Sequence, residues 1–173
     1  MAVLEILQFP HPVLRRRARP VERIDEAVHR LVRDMTETLY RAPGIGLAAN
    51  QVGVPLRVIV VDLSAGESPD QRIVLVNPEI VCKEGQIRME EGCLSVPDLR
   101  ENVTRCSRVV VRGLDLEGRP LEVEGEELLA VALQHEIDHL DGILFIDHLS
   151  QLKRSRYIAR RKKMLQGRAE EAG

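Results

Sequence analysis

A single α+β domain over residues 1–173, with short antiparallel or mixed strands around a central histidine-bearing helix, is the fold class this sequence predicts. Three observations carry that expectation. Apolar residues recur at helical spacing between residues 24 and 39, several short runs rich in Val and Ile follow, and a second helical pattern precedes a charged tail. A helix, then strands, then helices argues against a repeating βαβ unit, which would interleave them. A length of 173 residues suits one core rather than two, and no internal repeat or low-complexity run divides the chain.

Taken in order, Ile24, Val28, Leu31, Val32, Met35 and Leu39 fall on one helical face, with Asp25 placed to cap the helix and Pro43-Gly44 to stop it. This amphipathic helix should pack on a sheet. Residues 56–63 and 73–76 read as buried strands joined by a loop over 64–70. Residues 103–114 and 120–123 flank Asp115-Leu116-Glu117-Gly118, whose glycine suits a hairpin turn. Residues 126–140 form the next helix, with acidic residues in its first turn where the helix dipole favours them. From about His148 a charged helix, 148–168, closes the chain.

Composition narrows the function classes. Aromatic residues make up only 2% and Trp is absent, so the core is built from Leu, Val, Ile and Ala, and no aromatic platform for stacking bases is visible. Residues 1–7 lack the basic start and long apolar run of a secretory signal, with Glu5 interrupting. The apolar stretches at 58–61 and 128–133 fall far short of the roughly 20 residues that span a bilayer. Three cysteines, Cys82, Cys93 and Cys106, cannot all pair within one chain and read as free thiols or metal ligands. A soluble, cytoplasmic protein without a membrane partner is therefore expected. Residues 150–173 carry 8 Lys and Arg against 2 Glu, leaving 17 basic and 25 acidic residues in 1–149. A basic tail on an acidic body either meets a polyanion or is a solvated helix face.

Chemistry concentrates in His135-Glu136-Ile137-Asp138-His139, an HExxH pattern. Residues four apart share a helix face, so two imidazoles can hold one cation while Glu136 reaches a water on it. The motif alone is weak, since His and Glu are common on solvated helices. Leu128, Val131, Ala132, His135 and His139 nevertheless continue one stripe, which places the histidines on a buried face where they need partners. The third ligand has few downstream candidates. Gly142 matches the glycine of the HExxHxxGxxH peptidases, but Phe145 stands where their third histidine would be. Glu170 and Glu171 lie at the extreme terminus, while Asp147 and His148 remain possible. Upstream, Cys82 and Cys106 read as small apolar strand residues. Cys93, in Glu91-Gly92-Cys93-Leu94-Ser95-Val96-Pro97, is the better donor: a thiolate beside two imidazoles leaves a fourth position open for water.

Three segments, Gly44-Ile45-Gly46-Leu47-Ala48-Ala49-Asn50-Gln51, Glu91-Gly92-Cys93-Leu94-Ser95 and Gln134-His135-Glu136-Ile137-Asp138-His139, resemble those of the bacterial peptide deformylases in content, order and separation. The likeness runs from Phe9-Pro10-His11-Pro12 to the final helix. It implies that Cys93, His135 and His139 hold the metal, that Glu136 is general base and then acid, and that the Gln51 amide and the Leu94 backbone N–H stabilise the oxyanion. It further implies a methionine pocket of Ile45, Gly46, Met89, Leu128, Val131 and Ala132, with Gly92 and Arg100 contacting the substrate backbone or chain end.

The implied reaction is hydrolysis of the N-formyl group from formyl-methionine at the start of a new polypeptide, with release of formate. The implied cofactor is one divalent ion, natively Fe2+, for which Zn2+, Ni2+ or Co2+ can substitute on such a ligand set. N-formyl-methionyl nascent peptides are the implied partners, with a ribosome contact through Lys153, Arg154, Arg156, Arg160, Arg161, Lys162 and Lys163 of the last helix. Two other readings stay open on the residues alone: an HExxH zinc peptidase, and a non-catalytic ribosome- or RNA-binding module with a structural metal.

Overall fold

Four consecutive β-branched residues, Val58 to Val61, form strand β2 (Val58–Val61), and all four are fully buried because the sheet they belong to is covered on both faces. Val58 and Val60 point into one core cluster with Val28, Val32, Met35 and Leu39, whereas Ile59 and Val61 point into another with Ala130, Leu133, Ile137 and Leu140. The period of two thus sends alternate side chains to a helix on either side. The computed structural model describes residues 2–172, so residues 1 and 173 of the predicted domain lie outside it.

Helix α1 (Glu26–Arg41) covers the first face, and the Asp25 side chain accepts from the Val28 N–H at 3.2 Å as its N-cap. The sheet comprises β1 (Gly46–Ala48), β2, β3 (Ile73–Glu84), β6 (Arg108–Leu114) and β7 (Pro120–Glu126) in that spatial order, antiparallel at each step. Strands β4 (Ile87–Cys93) and β5 (Val96–Arg105) form a separate antiparallel hairpin. Helix α2 (Leu128–Leu140) lies against the second face, and α3 (Gln151–Ala172) closes the chain. The class is α+β, as expected.

Several boundaries differ from expectation. The run 103–114 is two strands divided at Cys106-Ser107, the first in the hairpin and the second in the large sheet. Propensity does not show such a break, because both halves are Val-rich. Strand β4 gave no sequence signal: its inner positions include Glu91 and its outer ones are Arg88 and Glu90. Strand β3 continues to Glu84, beyond the predicted end at 76, through a register shift between Val76 and Glu79. Helix α2 begins at Leu128, not at residue 126; Glu126 ends β7, Glu127 adopts a left-handed φ of 52°, and no acidic side chain occupies the first turn. Gly125, packed against Leu129 and Leu133, lets β7 and α2 approach this closely. The last helix starts at Gln151 rather than His148, after a 3-10 turn over Phe145–His148.

A third cluster, Leu14, Val96, Val103, Leu144, Phe145, Ile146 and Tyr157, fills the space under the hairpin. Arg161 is buried there, 4% exposed, and does not present its charge to a polyanion. Lys153 is paired with Glu101 at 3.0 Å, and Arg160 donates to the Asp98 carbonyl at 2.8 Å. Three of the seven basic residues expected to serve a polyanion contact from the last helix are therefore engaged within the molecule. No helix among the described residues is long and apolar enough to cross a membrane.

Candidate metal centre

Helix α2 is apolar enough to be buried on almost every side. From Ala130 to Leu140 only Asp138 is partly exposed, so the predicted stripe is too narrow a description. Leu128 departs from that stripe the other way: at the helix start it is 42% exposed, on the wall of an open cleft. One turn apart on this helix, His135 and His139 face each other edge-on with ring centroids 5.0 Å apart. Cys93, the last residue of β4, brings its Sγ to 3.4 Å from Nε2 of His139. One donor atom from each of Cys93, His135 and His139 lies within 4.8 Å of the others, which makes a thiolate and two imidazoles convergent on a single point.

The His135 ring is held from behind, and the His139 backbone is tied down. His135 Nδ1 shares a hydrogen bond of 2.8 Å with Glu91 Oε1, which leaves Nε2 for a cation. Phe145, standing where a peptidase would place a third histidine, stacks on the His135 ring at 6.1 Å. Arg105 donates Nε and Nη2 to the two oxygens of Glu91 at 2.7 and 3.0 Å, and Nη1 to Asp138 Oδ2 at 2.7 Å. Burial alone would raise the Glu91 pKa, but the hydrogen bonds from His135 and Arg105 hold it down at about 2. Asp138 also bonds His148 Nε2 at 2.8 Å, which places His148 behind the helix rather than among the ligands. Asn50 donates to the His139 carbonyl at 2.8 Å and the Arg16 carbonyl at 2.9 Å, tying down the end of α2.

Glu136 lines the cleft beside the ligands and is 4% exposed. Burial without a compensating donor raises its pKa to about 7. Its Oε1 is buried with no hydrogen-bond partner among the described residues. Such an atom is costly unless something in the site binds it, and a water held by a cation at the donor triad meets that need. A thiolate, two imidazoles and this carboxylate therefore fit a divalent ion with one open position.

The cleft has a volume of about 670 Å³ and is lined by Ile45, Gly46, Gln51, Gly92, Cys93, Leu94, Arg100, Leu128, Val131, Ala132, His135 and Glu136, among others. His139 lies deeper, 1% exposed. Met89 is not on the cleft wall; it sits in β4 opposite Val103. Gln51 receives the Ala48 N–H on Oε1 at 2.9 Å, which orients its amide so that Nε2 lies 3.0 Å from Ser95 Oγ and 3.8 Å from Cys93 Sγ. Leu94 follows in the turn closed by the Cys93–Val96 pair. Arg100 pairs with Glu90 at 2.8 Å on the exposed rim.

Sequence reasoning missed Glu91, Arg105, Asp138, Ser95 and Asn50 as supports of the site. For Arg105 a signal existed: it shares the inward phase of β5 with Leu99 and Val103, and a charge in a buried phase demands a partner.

Gly46 shows how little room the centre leaves. A Cβ there would stand 2.5 Å from Glu136 Oε2. Gly46→Ala is expected to fold normally and lower kcat about 10- to 100-fold by displacing that carboxylate. Steady-state kinetics beside a thermal melt check this, and unchanged kcat would show the carboxylate free to move.

Comparison with known proteins agrees with this chemistry. A family model described as polypeptide deformylase matches residues 3–155. Peptide deformylase of Acidobacterium capsulatum is 52% identical over 164 residues, covering 95% of this chain and 96% of that protein. That of Alkalilimnicola ehrlichii is 53% identical over 174 residues, covering 100% and 97%. A crystal structure of a peptide deformylase from Legionella pneumophila is 47% identical with a TM-score of 0.90, covering 97% of this chain and 98% of the other. Another, from Synechococcus elongatus in complex with actinonin, is 38% identical with a TM-score of 0.86, covering 92% and 88%.

Proposed function

The chain belongs to the peptide deformylase family, and from that premise we propose that Cys93, His135 and His139 hold one divalent cation while Glu136, Gln51 and Leu94 remove the formyl group. Family membership makes the protein a metal-dependent hydrolase that releases formate from N-formylated nascent peptides. The observation that carries the residue assignment is the convergence of three donor atoms within 4.8 Å beside the unpartnered Oε1 of Glu136. We take Fe2+ as the native ion, with Zn2+, Ni2+ and Co2+ able to substitute on the same donors.

A cation held there supplies the Lewis acidity that makes water nucleophilic near neutral pH. The protein's own groups then divide the remaining work. Glu136, whose carboxyl burial pushes above the ordinary carboxylate range, is suited to accept a proton and return it. It takes the proton of the attacking water through the oxygen that has no other partner, then passes it to the departing amine nitrogen, a poor leaving group when unprotonated. The tetrahedral oxyanion is met by Gln51 Nε2, already aimed beside Cys93, and by the Leu94 N–H of the adjoining turn.

Ile45, Gly46, Leu128, Val131 and Ala132 form the apolar wall that receives the methionine side chain. Strand β1 stands at the edge of its sheet next to the cleft, a suitable rail for an extended peptide, and Gly92 and Arg100 lie along the opposite wall. A zinc peptidase reading is not favoured, since the third ligand comes from Cys93 upstream of the helix. A structural-metal reading is not favoured either, since structural sites close all four positions with protein ligands.

The test is direct. Protein reconstituted anaerobically with Fe2+ is expected to release formate from formyl-Met-Ala, and to lose that activity to a chelator. Absence of formate from the metal-loaded protein would sink the assignment.

For the ribosome we propose a contact through Arg156, Lys162 and Lys163, which are exposed on α3, and Arg154 beside them. Co-sedimentation with ribosomes should weaken steeply with added salt. Salt-independent binding would exclude this face. A cytoplasmic location accords with such a substrate and with three cysteines that form no disulfide.

A further inference from the structure

Helix α3 buries only two of its side chains, Tyr157 and Arg161, and neither is a simple apolar anchor. The Arg161 guanidinium donates Nε to the Phe9 carbonyl at 2.9 Å and Nη2 to Gln8 Oε1 at 3.1 Å. Phe9 in turn donates its N–H to the Ser95 carbonyl at 2.7 Å, and Leu7 donates to the Gln51 carbonyl at 2.7 Å. Ser95 Oγ accepts from Gln51 Nε2 at 3.0 Å. Hydrogen bonds therefore lead from the last helix, through the N-terminal segment, to Gln51, which carries one oxyanion donor, and to Ser95, the neighbour of Leu94, which carries the other.

Tyr157 and Arg160 hold the other end of the same turn. The Tyr157 hydroxyl donates to the Pro97 carbonyl at 3.0 Å, and Arg160 Nη2 donates to the Asp98 carbonyl at 2.8 Å while lying over the Tyr157 ring. Asp98 has a φ of 63°, a conformation that a residue with a side chain adopts at some cost, and the Arg160 bond helps hold it there. Burying a guanidinium is expensive compared with burying a leucine in the same space. What the arginine and tyrosine add over an apolar anchor is direction, because each fixes the position of a particular backbone carbonyl.

Resting on the deformylase reading, we propose that α3 is a positioning element for the catalytic turn. Arg161, acting through Phe9 and Ser95, and Tyr157, acting through Pro97, set where the Leu94 N–H and the Gln51 amide stand when the oxyanion forms. Neither residue touches the reacting atoms. Donors used only in the transition state, once displaced, lower kcat and leave KM nearly unchanged, which loose packing of a remote helix would not do.

The experiment compares Arg161→Met, Arg161→Lys, Tyr157→Phe and Arg168→Met, at an exposed position farther along the same helix, in the full-length Fe2+ enzyme on formyl-Met-Ala, well below each variant's Tm. Arg161→Met and Tyr157→Phe are each expected to lower kcat about 3- to 10-fold, with KM within about two-fold of wild type. Arg161→Lys keeps a donor for the Phe9 carbonyl and should recover most of the loss, while Arg168→Met should match wild type. Unchanged kcat in both Arg161→Met and Tyr157→Phe would overturn the proposal, as would an equal loss in Arg168→Met. Cobalt-substituted protein gives a reading that needs no turnover: the thiolate-to-cobalt absorption should shift in Arg161→Met and not in Arg168→Met. Should wild type release no formate, the deformylase reading falls and these spectra alone decide, identical bands in wild type and Arg161→Met refuting the positioning role.

Discussion

Replacing Glu136 by glutamine is expected to lower kcat by about 10²- to 10⁴-fold while the metal content stays at wild-type level. The residue is buried within α2 and its Oε1 makes no hydrogen bond among the described residues, so an isosteric amide fits the same space. The three donors come from Cys93, His135 and His139, which the substitution leaves untouched. An amide can neither take a proton from water nor give one to the leaving nitrogen, so both halves of the proton transfer fail together. Metal analysis beside formate release checks this. A variant that loses its metal along with its activity would make Glu136 a support of the ligands rather than the base.

Arg105→Met is expected to have the largest effect on stability. The guanidinium side chain is 4% exposed and serves two carboxylates at once, Glu91 and Asp138. Methionine of similar length fills the space but leaves Glu91 with only His135 and Asp138 with only His148, and losing one partner of a buried ion pair costs about 3–5 kcal/mol. The pH dependence has a definite sign. Glu91 is held at about 2 in the folded state against an ordinary value of 4.5, so its contribution is fully present above pH 4.5 and is lost as the pH falls towards 2. The stability gap between wild type and Arg105→Met should therefore be widest near neutrality and narrow through that acid window. Denaturant melts across pH decide it, and a gap independent of pH would show that the arginine acts by packing alone. Metal affinity should fall with it, since Glu91 orients His135.

Much of the centre could be read from the chain because it is encoded locally. The two histidines and Glu136 share one helix, where a spacing of four is visible by inspection, and Cys93 stood out as the better donor by its Gly-Cys-Leu-Ser setting and by the family resemblance, with Asp147 and His148 still open. The amphipathic α1 and its Asp25 cap were legible for the same reason. What could not be read depends on contacts between distant segments. Arg105 and Glu91 are 14 residues apart, and Arg105 and Asp138 are 33 apart, so their ion pairs exist only once the hairpin has closed on α2. The break between β5 and β6 is likewise set by which sheet each half joins, not by composition. Arg161 looked like one more surface cation because charge in a tail carries no sign of burial.

The burial of α2 on nearly all sides has a consequence for how the ion can enter or leave. Its residues lie between the cluster under the sheet and the one around Phe145, so fraying a turn near His135 or His139 would open both cores to water. A helix in that position has no cheap partial unfolding; it opens with the whole molecule or not at all. Exchange of the ion in the native protein must then pass through the cleft mouth beside Glu136, and so competes with a peptide lying in the same opening.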